Sequence, residues 1–67
     1  HNIYYVNIGD LVSLKPEYQT EDEFYYGHGV IILIEDYGPS GIWVCVRWNK
    51  EVIWHRPGDL RIESIAQ

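Results

Sequence analysis

Apolar and polar positions fall into short blocks separated by turn residues, and the blocks differ in period. The clearest stretch runs from Gly29 to His55. A wholly apolar run, Val30-Ile31-Ile32-Leu33-Ile34, leads into the turn cluster Asp36-Tyr37-Gly38-Pro39-Ser40-Gly41. An alternating segment follows, Ile42-Trp43-Val44-Cys45-Val46-Arg47-Trp48. The pair Asn49-Lys50 then separates it from a second short segment, Glu51-Val52-Ile53-Trp54-His55. Short blocks rich in Val, Ile and Trp, bounded by turn residues, read as strands. This stretch therefore predicts a β-meander with strands over 30–35, 42–48 and 51–55. Apolar residues on both faces of 30–35 point to a central, strongly bent strand. Asn-Lys is a weaker hairpin signal than Asn-Gly, because Lys disfavours positive φ.

Upstream, Gly9-Asp10 marks a turn into Leu11-Val12-Ser13-Leu14-Lys15. As a strand, this segment sets Val12 and Leu14 on one face and Leu11, Ser13 and Lys15 on the other. Pro16 has no N–H to give a ladder and ends it. Residues 16–28 form a long connection, acidic at Glu17, Glu21, Asp22 and Glu23 and aromatic at Phe24, Tyr25 and Tyr26. A loop of this length in a compact domain is often functional. Downstream, Arg56-Pro57-Gly58-Asp59-Leu60 reads as one tight 3₁₀-like turn, and Arg61-Ile62-Glu63-Ser64 as a last short strand. No repeat, low-complexity segment or amphipathic helix is present.

The fold expected is all-β: five short strands, a long loop after the first and a one-turn 3₁₀ helix before the last. Four segments carry a family resemblance. They are Gly9-Asp10-Leu11-Val12, Gly29-Val30, Val44-x-Val46-x-Trp48 and Asp59-Leu60-Arg61-Ile62. Together they resemble the SH3-like small barrel, in its Tudor/KOW-type branch. They are also similar to short small-barrel proteins of tailed phages and their bacterial hosts. The resemblance spans residues 9–64, with an N-terminal extension at 1–8 and a tail at 65–67. That superfold hosts many unrelated functions, so it does not fix an activity.

With Asn49-Lys50 as the turn, Trp48 faces Glu51, Arg47 faces Val52, Val46 faces Ile53, Cys45 faces Trp54 and Val44 faces His55. One face then holds Ile42, Val44, Val46, Ile53 and His55, an almost wholly apolar set suited to the interior. The other holds Trp43, Cys45, Arg47, Val52, Trp54 and Arg56. Trp43 and Trp54 become diagonal neighbours within mutual reach, with Cys45 between them. Exposed aromatic surface marks interfaces, and Trp, Tyr and Arg dominate their energetics. Trp43, Trp54, Arg47 and Arg56 are therefore candidate partner-binding residues. Three other arrangements would occupy the same face: Ile3, Tyr4 and Tyr5 folded over it, Arg47 or Arg56 stacked on Trp54, or a homodimer. A one-residue slip in register would exchange the two faces.

The Tudor likeness implies a second candidate, an aromatic cage of Phe24, Tyr25 and Tyr26 with Asp22 or Glu23 beside it, holding a methylated cation by cation–π attraction. The bland alternative is that these rings cap the core while the acids are solvated. Glu21, Asp22, Glu23, Tyr25 and Tyr26 are accordingly candidate contacts for a partner of basic character.

Composition narrows the field. Sixty-seven residues make one domain, whose core rarely supplies more than about 3–5 kcal/mol. Ten aromatics (three Trp, six Tyr, one Phe) answer that need with area. The net charge of −5 disfavours a nucleic-acid backbone as the main partner. Arg47, Arg56, Arg61 and the Trp face keep base stacking open as a second reading. The lone Cys45 excludes a disulfide scaffold and suits a reducing cytoplasm. No charged-then-apolar leader pattern opens the chain, and a run of five apolar residues is too short to span a bilayer. Cys45 and His55 are the one nucleophile–base pairing of suitable types, and the register sends them to opposite faces. The expectation is a non-catalytic, cofactor-free and metal-free binding module.

Overall fold

The computed structural model describes residues 6–19 and 27–65. Five strands form one antiparallel sheet: β1 (Leu11–Leu14), β2 (Gly29–Asp36), β3 (Ile42–Arg47), β4 (Val52–His55) and β5 (Leu60–Ser64). Their order across the sheet is β4-β3-β2-β1-β5. Among the described residues, β4 and β5 are the two edges and do not pair with each other, so the sheet is open. It still wraps one core. Leu60 of β5 lies in the same buried cluster as Val44 and Val46 of β3, Ile31 of β2, and Val12 and Leu14 of β1. The architecture is all-β and small-barrel-like, with a 3₁₀ turn (Pro57–Asp59) directly before the last strand.

The elements follow from local chemistry. Each described 3₁₀ turn, Pro16–Tyr18, Gly38–Ser40 and Pro57–Asp59, has proline in its first two positions. There the fixed φ is already right and the missing N–H is not needed. The turn at Pro16–Tyr18 gives structure to the start of the connection that the sequence pattern reads only as a loop. The acidic and aromatic part of that connection, Glu21 to Tyr26, lies outside the described residues, as do Ile3, Tyr4 and Tyr5. The cage and the covering layer proposed for those residues lie there too.

The β3–β4 register is the one the sequence predicts: Val44↔His55, Cys45↔Trp54, Val46↔Ile53 and Arg47↔Val52. The Trp48 N–H closes the hairpin on the Glu51 carbonyl at 2.7 Å. Neither Asn49 nor Lys50 takes positive φ, so the turn forms without the conformation that Lys resists. In β1, Val12 and Leu14 are buried while Leu11, Ser13 and Lys15 are half-buried, as alternation requires. β2 is central and bulged. Ile31 pairs with Val46 and Leu33 with Cys45, so Ile32 is the extra residue. A bulge bends its strand and raises the local twist, which helps so short a sheet curl round a core.

Two details lock the core. Gly29 is the first residue of β2, and a Cβ there would meet Val46 Cγ1 at 2.5 Å and Trp48 Cε3 at 2.8 Å. Glycine lets the strand lie against the indole. Ahead of β1, buried Asp10 accepts a hydrogen bond from the Asn7 N–H at 2.8 Å, and its own carbonyl accepts one from the Ile31 N–H at 3.0 Å. That tie holds the preceding segment against β2, and Val6 joins the core.

Candidate interaction surface

The inner face of the hairpin carries Val44, Val46, Trp48, Ile53 and His55. Val44, Val46, Trp48 and His55 are buried, and Ile53 packs against the cluster. A ring of Trp48's size must also satisfy its N–H. Trp48 Nε1 donates to His55 Nε2 at 3.1 Å, with the rings edge to face at 5.6 Å between centroids. His55 is thus an acceptor in the core. Burial holds its pKa below the ordinary imidazole value, partly offset by the negative charge of Asp59.

The outer face is built as three cross-strand rows on β2, β3 and β4. Val30, Arg47 and Val52 form the first, and Leu33, Cys45 and Trp54 the second. Glu35 and Trp43 form the third, which Arg56 completes from just beyond β4. Leu33 is 47% exposed, Trp54 42% and Val52 53%, yet Cys45 between Leu33 and Trp54 is 2% exposed. A small side chain between two larger neighbours is shielded by them. Burial also pushes the Cys45 thiol pKa up, away from the thiolate that a nucleophile needs.

Of the alternative arrangements for this face, the stacking of Arg56 falls on a different ring from Trp54. Arg56 lies over Trp43, 4.2 Å from the ring centroid. Its Nη1 also donates to the Ser40 carbonyl at 2.9 Å. The reason is register: one step past the Val44↔His55 pair, position 56 comes opposite position 43. The turn helps as well. Gly41 has φ +92, and a Cβ there would run into the Arg56 guanidinium. Trp43 is therefore half-buried under a cation, while Trp54 keeps its exposed ring.

Of the residues singled out from the sequence, Trp43, Arg47, Trp54 and Arg56 share this face. Glu21, Asp22, Glu23, Tyr25 and Tyr26 lie outside the described residues. Leu33 and Val30 are additional members that sequence reasoning did not assign. An unbroken apolar run conceals which residue is the bulge, and with it the face that each side chain takes. At the hairpin end, an open cavity of about 300 Å³ is lined by Arg47, Trp48, Asn49, Lys50, Glu51 and Val52.

Cys45 and His55 belong to opposite faces of β3 and β4. Among the described residues, no group of three or more His, Cys, Asp or Glu side chains is placed to hold a metal ion. No described helix is long and apolar enough to cross a membrane. Comparison of the chain with protein-family models, with curated proteins and with solved structures gives no significant match.

Proposed function

We propose that this chain is a non-catalytic protein-binding module on an SH3-like small barrel of the Tudor/KOW type, acting in a cytoplasm, that of a bacterial host if the chain is phage-encoded. Its docking surface is the outer face of β2, β3 and β4. One observation carries the reading: Leu33, Val52 and Trp54 are each roughly half exposed on one side of a ribbon whose other side is closed. Contiguous apolar surface with an aromatic centre and an arginine rim is what protein interfaces use. The partner is a protein or peptide of basic character. The net charge of −5 and the run Glu21-Asp22-Glu23 attract cations, and salt weakens such attraction.

The test is capture from lysate at low and high salt by the unaltered protein and by Leu33→Lys and Trp54→Ala. A protein partner retained by the unaltered chain, lost by both variants and released by salt supports the reading. Equal capture by all three sinks it. Salt-sensitive binding of single-stranded oligonucleotides, lost in Arg47→Glu, would replace it with the nucleic-acid reading, for which Arg47 beside the Trp54 row is the favouring observation.

A further inference from the structure

The two edges of the sheet are built differently. β5 carries Arg61 and Glu63, and its pairing with β1 shifts register between Leu11 and Val12. Charges and irregular register are the devices by which natural sheets blunt an edge. β4 has neither. Val52-Ile53-Trp54-His55 contains no Asp, Glu, Lys or Arg, and it pairs with β3 through four unbroken rungs.

The phase of the ladder says where β4's backbone groups point. The Trp48 N–H donates to the Glu51 carbonyl, so 48 and 51 form a hydrogen-bonded pair. Bonded and non-bonded pairs alternate along an antiparallel ribbon. Ile53 and His55 therefore turn their N–H and C=O groups toward β3, and Val52 and Trp54 turn theirs away from the sheet. Among the described residues, no turn or loop hydrogen bond reaches the backbone of Val52 or Trp54. The same two residues expose apolar side chains on the outer face. Among the described residues, polar backbone without a strand partner and apolar surface thus coincide on one short segment.

We infer that β4 pairs antiparallel with β4 of a second copy of this chain, joining the two sheets across a twofold axis. The segment is self-complementary. An axis perpendicular to the sheet keeps inner face beside inner face, so the register must match faces as well as backbone groups. Centring it on Ile53 does both. Val52 of each copy then lies opposite Trp54 of the other, and each such pair exchanges both of its N–H···O bonds. On the outer face, the row Leu33–Cys45–Trp54 continues into Val52 of the second copy. On the inner face, Ile53 meets Ile53. A chain this small gains from such pairing, because oligomerisation is one of the ways small scaffolds make up for a limited core. The pairing deepens the proposed function by sharing its Trp54 row, while leaving Leu33 and Val30 open to a foreign partner.

The test is the solution mass over a concentration series up to about 1 mM, for the unaltered chain, Val52→Lys and Leu33→Lys. It is joined to amide exchange at Val52 and Trp54. The inference expects a monomer–dimer equilibrium that Val52→Lys weakens at least about tenfold by placing a charge in the paired edge, and that Leu33→Lys leaves intact. It expects Val52 and Trp54 amides to become protected as concentration rises. Added salt should strengthen the dimer, since each copy carries −5, whereas it weakens capture of a basic partner. Monomer mass throughout overturns the inference. So does a dimer with unprotected Val52 and Trp54 amides, a dimer that Leu33→Lys dissolves, or growth past a dimer, which would mean β4 pairing head to tail with β5. Failure here leaves the docking reading standing, because that reading is tested by partner capture with Leu33→Lys.

Discussion

The β3–β4 hairpin has one backbone and two faces, and the faces are held in different ways. Inside, each side chain finds its complement within the chain. Val44 and Val46 are packed, and the two polar groups, the Trp48 N–H and the His55 ring, satisfy each other. Outside, Trp43 finds a complement in Arg56, but Leu33, Val52 and Trp54 remain half in water. Similar β-branched and aromatic residue types serve on both sides. What separates the faces is closure: the inner set completes a core, and the outer set leaves Leu33, Val52 and Trp54 partly in water.

That contrast can be broken most directly on β2, where Ile31 points in and Leu33 points out. Ile31→Ala should cost about 2–5 kcal/mol, comparable to the whole stability expected of so small a core, so the variant should be largely unfolded by circular dichroism. Leu33→Ala should stay within about 0.5 kcal/mol of the parent by urea denaturation. Equal losses at the two positions would erase the distinction between the faces.

Overfilling the inner side comes next. Gly29→Ala drives a methyl against Val46 and Trp48 and should cost about 1–3 kcal/mol, seen as a lowered Tm. The sheet closed on Trp48 leaves that methyl no room.

The inner polar pair adds a pH signature. His55 is depressed by burial, so the unfolded chain takes up its proton first as pH falls. Stability is then fully present above the ordinary imidazole value of about 6.5, and it declines as pH drops through that value toward the folded one. Urea midpoints from pH 8 to pH 5 should show this decline, and His55→Gln should remove His55's share of it. A midpoint that rises on acidification would reverse the assigned sign.

The smallest effect belongs to the outer face. Arg56→Ala removes the contact over Trp43, an exposed cation–π interaction worth about 0.5–1 kcal/mol. Trp43 fluorescence should shift to the red as water reaches the ring, while Trp54 in the same chain should not change.

Much of this was readable along the chain because turns fix phase. Asn49-Lys50 sets the register, and from it the inner and outer sets of β3 and β4 follow by alternation. The proline-led turn before β5 was legible for a similar reason, since proline fixes φ. The bulge at Ile32 was not. In Val30-Ile31-Ile32-Leu33-Ile34 every residue is apolar, and alternation carries no information where nothing alternates. Leu33's place on the outer face was lost with it. The Trp48–His55 bond was within reach: continuing from Val44 and Val46 puts Trp48 inside, on a face whose polar residues in β4 and its approach are Glu51 and His55. The partner of Arg56 is legible only when the register is carried one step past β4, where position 56 comes opposite Trp43 rather than Trp54. Val6 joins the core through Asp10's hydrogen bonds, and no hydrophobic pattern announces a connection made by a carboxylate.

The extra residue in β2 separates two properties that usually travel together. With or without Ile32, the residues on either side of it, Ile31 and Leu33, keep facing opposite ways, and Ile34 still faces inward. Deleting Ile32 would thus preserve the inside–outside code of the strand while removing its bend. Such a shortened chain would carry the same inner and outer residue sets on a flatter ribbon, with Leu60 drawn away from Val44 and Val46. Comparing its melting with that of the parent would measure what curvature alone is worth to a sheet of this size.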